Sequence, residues 1–170
     1  MEDKTLAPIR YVHRIHQIAD QEMAALPNCC SRGCAHCCYK LVEVLHLEEL
    51  PIIDFVSHQM GADEKQQVTK NLLAWLHFFE EKTPVNDLLS YSEVFAQFKN
   101  LQAEECFPCP FLIDNECAIY EVRPLACRMH VAADYPELCI HRRLRNTTPE
   151  AEQIWSHILS ILAQHFPLFV

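Results

Sequence analysis

Ten cysteines in 170 residues, gathered into two stretches, constrain this chain more than any other feature. Five lie between Cys29 and Cys38 and five between Cys106 and Cys139. Half of all residues are apolar, enough at this length to bury a core without cross-links, so the thiols are not needed as staples. The start, Met1-Glu2-Asp3-Lys4, has no basic flank and apolar run of a secretory signal. The most apolar segment, Ile154 to Val170, is broken by polar residues and Pro167 and is too polar to span a bilayer. The expectation is a cytoplasmic chain with no membrane partner. In such a reducing compartment thiols stay reduced unless they bind metal or do redox chemistry.

Composition removes other functions. The two glycines, Gly33 and Gly61, are far apart, so neither a P-loop nor a dinucleotide-binding loop is present. With 23 acidic against 14 basic side chains the net charge is −9. That balance lacks the electrostatic footprint of a nucleic-acid binder, and the short run His141-Arg142-Arg143-Leu144-Arg145 reads as a solvated face.

Elsewhere the apolar period is helical and the fold class reads as mainly α, a small single domain over residues 1–170. Ile9, Val12, Ile15, Ile18, Met23 and Leu26 mark a helix over Leu6 to Leu26. Leu41 to Leu47 reads as a short strand or a helix start. Leu47 to Met60 reads as a helix with Pro51 in its first turn and Gly61 as its stop. Asp63 and Gln66 resemble a capping box for a helix ending before Pro84, with Val68, Leu72, Trp75, Leu76 and Phe79 inward. Another runs from about Asn86 to Gln102. Thr148-Pro149 opens the last, as N-cap and first-turn proline. Cys29 to Cys38, and the long proline-bearing segment from Cys106 to Cys139, read as irregular loops that the helices bring together on a metal site.

The first loop contains Cys30-x3-Cys34-x2-Cys37-Cys38, and the second Cys106-x2-Cys109, then Cys117, Cys127 and Cys139. A C-x2-C turn sets two sulfurs on one side of a tight loop, where backbone amides can offset thiolate charge. Gly33 suits a sharp turn or a positive φ beside Cys34, and Pro108 and Pro110 stiffen the chain around Cys109. The adjacent Cys37 and Cys38 are awkward for one ion, because neighbouring side chains on extended backbone point apart. His36 and His130 sit among the cysteines but read as exposed or capping histidines, and His13 and His16, with no carboxylate partner in view, as a helix face. Four thiolates around Zn²⁺ or a [4Fe-4S]²⁺ cluster leave about two negative charges, which Arg123 and Arg128, with Arg32, are placed in sequence to balance.

These strings resemble the YkgJ-like CxxCxxCC cysteine-cluster family of zinc- or iron-chelating domains. The likeness covers about residues 28–140. It rests on Cys30-x3-Cys34-x2-Cys37-Cys38, on Cys109-Pro110-Phe111-Leu112, and on Cys117-Ala118-Ile119-Tyr120-Glu121-Val122-Arg123-Pro124-Leu125-Ala126-Cys127-Arg128, with Cys139 as a later family position. The resemblance implies metal ligands among Cys30, Cys34, Cys37, Cys38, Cys109, Cys117, Cys127 and Cys139, while Cys29 and Cys106 are extras.

The expected function is chelation of zinc or iron, the iron alone or in a [4Fe-4S] cluster, in one site or two; thiolate-only ligands suit both metals. Two alternatives stay open. A related cysteine cluster occurs in flagellin lysine N-methylases, which implies cluster-dependent modification of a protein partner, although no methyl-donor loop is seen here. Thiol redox chemistry at Cys37 and Cys38 is the other, without the βαβ pattern that usually carries it.

Overall fold

The computed structural model describes residues 6–27, 33–82, 90–105, 107–130 and 148–165. Among the described residues it is mostly helical, with one small two-stranded sheet. The helices are α1 (Leu6–Ala24), α2 (Glu49–His58), α3 (Ala62–Lys82), α4 (Tyr91–Glu105), the one-turn α5 (Leu125–Arg128) and α6 (Pro149–His165). Strands β1 (Leu112–Ile113) and β2 (Glu116–Cys117) form the hairpin, and 3-10 turns cover His36–Tyr39, His46–Glu48 and Tyr120–Val122.

The chain divides into two compact units. The first comprises Met1–Ser31, Val42–Gln59 and Ile119–Val170, the second Arg32–Leu41 and Met60–Ala118. In the first unit, α1 packs on α6, α2 and α5. Val12, Ile15, Ala19 and Met23 recur on one face of α1 and bury against Leu47, Leu125, Met129, Ile158 and Leu162. Fully burying such a side chain contributes about 1.5–3 kcal/mol, so this stripe outweighs the modest helix propensity of α1. Thr148 caps α6 as expected, its Oγ1 accepting from the Ala151 amide at 3.2 Å.

The second unit is held by aromatic rings. Phe79 of α3 is buried and meets Trp75, Phe78 and Phe98 at centroid distances of 4.5, 5.1 and 4.7 Å. Phe78 stacks on Phe107 at 4.2 Å, fastening the segment before β1 to α3.

Several boundaries differ from expectation. Residues 41–45 are neither strand nor helix, and the 3-10 turn His46–Glu48 leads directly into α2. Helix α3 starts earlier than Asp63: Gly61 O accepts from the Lys65 amide at 2.9 Å and the Glu64 carboxylate reaches back to the Gly61 amide at 3.3 Å. Gly61 is thus the cap of α3 rather than only the stop of α2. The stripe on α3 is narrower than expected, since Leu72 and Leu76 are exposed with Leu73, whereas Val68 and Phe79 are buried. Helix α4 begins at Tyr91, after the non-helical Ser90; the expected start near Asn86 lies outside the described residues.

Candidate metal centre

The second unit carries parts of both cysteine strings. Gly33 takes φ +86°, with open space where a β-carbon would sit, turning the chain into Cys34 and the 3-10 turn His36–Tyr39. Within that turn the Cys38 amide donates to Ala35 O at 3.0 Å. The backbone at Cys37 and Cys38 is therefore a 3-10 turn rather than extended, and the neighbouring Cys37 thiol is the largest influence on Cys38, raising it. The extended backbone assumed for these neighbours is thus corrected to a 3-10 turn.

The β1–β2 hairpin brings the second string back on itself. Leu112 pairs with Cys117 and Ile113 with Glu116, across a two-residue turn in which Asp114 and Asn115 have φ +49° and +63°. Positive φ at both central residues is the mirror-image turn that suits a twisted hairpin, and Asp and Asn tolerate it best after glycine. The Cys109 amide then donates to Cys38 O at 2.7 Å, while Cys109 O accepts from the Leu112 amide at 3.0 Å. Main-chain bonds thus set Cys109 beside the first cysteine segment and the hairpin beside Cys109.

Four thiols influence one another electrostatically as a result. The bond to Cys37, then burial, then the charges that Cys37, Cys109 and Cys117 would carry raise the Cys38 thiol far above its ordinary value. Burial pushes the Cys109 thiol up to about 11, opposed by a hydrogen bond from the Phe111 amide and assisted by Cys117 and Cys37. Like charges crowded in a half-buried place disfavour the anionic form, and a divalent cation removes that penalty. Among the described residues no group of three or more His, Cys, Asp or Glu side chains stands as a ready coordination sphere, so the fit rests on donor type and on this proximity. All four donors are sulfur, the type that thiophilic metals select.

Cys34 is half-buried in the same unit. Cys30 and Cys139 lie outside the described residues, with Cys29, Cys106 and Arg32. Cys127 belongs to the first unit, on α5. There the Arg-Pro-x2-Cys-Arg string has a clear local logic. Pro124 O accepts from the Cys127 and Arg128 amides at 2.9 and 3.0 Å, opening α5. Arg123 stacks over the Tyr120 ring at 3.8 Å. Arg128, only 6% exposed, donates to Asp20 Oδ2 at 2.5 Å, to Arg123 O at 2.8 Å and to Glu121 O. Both arginines, expected to balance a cluster's charge, are placed on Asp20 and on neighbouring main chain; Arg123 Nη2 is 3.9 Å from Asp20 Oδ1.

Sequence reasoning missed three side chains. Glu48, 2% exposed, accepts from the Leu125 amide at 2.6 Å, from the Leu45 amide at 3.2 Å and from His16 Nε2 at 2.9 Å. It is the carboxylate partner that His16 lacked in the sequence, and it caps the turn that carries Cys127. Asp20 escaped notice because its partner is 108 residues away. Asn71 of α3 donates to Pro110 O at 3.2 Å and Leu112 O at 3.3 Å. Only the Asp114-Asn115 pair carried a signal that a sequence reading could have used for the hairpin. Of the histidines among the cysteines, His36 is exposed and His130 half-buried.

No helix among the described residues is long and apolar enough to cross a membrane. Neither a curated protein nor a solved structure matches the chain. A family model described as "CxxCxxCC: Putative zinc- or iron-chelating domain" matches residues 28–153, a span that takes in both cysteine strings, the hairpin and α5. The chain therefore belongs to the CxxCxxCC family of cysteine-cluster domains.

Proposed function

We propose that the protein chelates zinc or iron through clustered cysteine thiolates, and that Cys37, Cys38, Cys109 and Cys117 of the second unit form the heart of the site. The observation that carries this reading is the 2.7 Å bond from the Cys109 amide to Cys38 O, which holds two sulfur-bearing segments together by main chain. Cys34 stands ready in sequence as a further ligand. Bound metal would supply charge: it stabilises the thiolates that crowding otherwise keeps protonated. The chain's part is to hold the sulfurs and to aim amide groups at them, as the Phe111 amide does at Cys109. Whether the resident group is a single zinc ion or an iron–sulfur cluster is a choice between two thiolate-loving species.

Anaerobic purification followed by elemental analysis and a visible spectrum tests the reading. Stoichiometric zinc in colourless protein identifies a closed tetrahedral site, and iron with sulfide and broad absorption near roughly 400 nm identifies a cluster. Serine at Cys109 or Cys38 is expected to abolish stoichiometric loading. Fresh protein holding neither metal, or undiminished loading in both serine variants, sinks the proposal.

A further inference from the structure

The geometry points to Asn71 as a positioning residue for the Cys109 sulfur, acting through the Pro110–Phe111 peptide, an inference that rests on the metal-chelating reading above. Asn71 is half-buried on α3. Its Oδ1 accepts from Gln67 Nε2 at 2.8 Å, one turn earlier on the same helix, which fixes the amide so that its nitrogen faces the loop. That nitrogen donates to Pro110 O at 3.2 Å and Leu112 O at 3.3 Å. The Pro110 carbonyl and the Phe111 amide belong to one peptide group, planar and trans, so their C=O and N–H point in opposite directions. Holding the oxygen on α3 aims the Phe111 N–H away from the helix, and that N–H donates to the Cys109 sulfur.

The second anchor, on Leu112 O, prevents the turn from rotating about the first. Leu112 closes the turn by donating to Cys109 O at 3.0 Å, and Phe111 O accepts from the Ala118 amide at 2.8 Å. A cleft of about 360 Å³, lined by Gln67, Asn71, Ala74, Phe107, Cys109 and Ile113 among others, lies beside the loop. Space there lets the loop shift once the amide is lost, so the stack of Phe107 on Phe78 does not by itself hold the peptide. Amide groups that donate to metal-bound sulfur lower its charge and orient it, and loss of such outer partners weakens metal binding by about 10–100-fold.

The test uses the full chain with Asn71→Asp, which keeps the size and the acceptor for Gln67 but removes the donor, and Asn71→Gln, which restores a donor. Zn²⁺ affinity by chelator competition, the Co²⁺ thiolate charge-transfer spectrum and exchange of the Phe111 amide in metal-free protein are compared with wild type. Expected are a loss of Zn²⁺ affinity of about 10–100-fold, a shifted Co²⁺ spectrum and faster Phe111 exchange in Asn71→Asp, with partial recovery in Asn71→Gln. A variant that melts earlier yet keeps wild-type affinity and spectrum shows a merely structural asparagine and overturns the inference. Wild-type protein that takes up neither ion overturns the chelation reading instead, and Phe111 exchange in metal-free Asn71→Asp equal to that of wild type then dismisses the role of Asn71 as well.

Discussion

The amide of Cys109 is bonded to the carbonyl of Cys38 at 2.7 Å, a contact between distant parts of the sequence that no side chain is needed to make. Its consequence is that the spacing of sulfurs is set by backbone geometry. A metal would then meet ligands already gathered, and ordering of loops would oppose binding less than in an unstructured thiol tract.

The burial of Cys109 makes the metal-free protein sensitive to alkali. An isolated thiol begins to ionise near 9.0, whereas burial holds that of Cys109 until about 11. The folded-state value is the raised one, so this contribution is fully present below 9.0 and is lost as pH climbs through about 11. Metal-free protein should therefore show a falling urea midpoint across that window, and Cys109→Ser should make the fall shallower, leaving the part that the still more raised Cys38 thiol contributes. An equally steep fall in the serine variant would refute the assignment.

Glu48 accepts three hydrogen bonds in a buried place. In Glu48→Gln one acceptor oxygen becomes an amide NH2 facing donors, leaving at least one buried donor unpaired. The expected cost is about 2–4 kcal/mol, read from urea unfolding. His16 Nδ1, buried with no partner among the described residues, adds no compensating bond. A cost below about 0.5 kcal/mol, the low end for a single hydrogen bond, would mean that Glu48 is not the clasp between α1, the His46–Glu48 turn and α5.

Arg128 uses three separate nitrogens on Asp20, Arg123 O and Glu121 O. Lysine keeps the charge but has one nitrogen, and it cannot span that fork. Arg128→Lys is expected to lower stability by about 2 kcal/mol in chemical denaturation. The loss should persist at high salt, because geometry rather than long-range charge is removed.

Gly33 at φ +86° has nothing within 4 Å of the place a β-carbon would take, so an added methyl meets no clash and the whole effect of Gly33→Ala is backbone strain. About 1 kcal/mol is expected, with a matching drop in metal affinity if the Cys34 turn must keep that shape to bind. Unchanged melting and affinity would show that the turn relaxes freely.

Much of this protein was legible in its sequence because the signals are local. The helical recurrence of Ile9, Val12, Ile15 and Met23 buries one face of α1, and Thr148-Pro149 starts α6 through a cap made three residues on. The cysteine strings and the family they mark are likewise contiguous, so spacing alone carried them. Tertiary structure decided what depends on partners far along the chain. It gave Arg128 to Asp20, seated His16 on Glu48, set Asn71 against the Cys109 loop and coiled Cys37 and Cys38 into a 3-10 turn. Such pairings are chosen by which buried donors and acceptors remain to be satisfied once the helices have packed, and a linear string of residues does not hold that information.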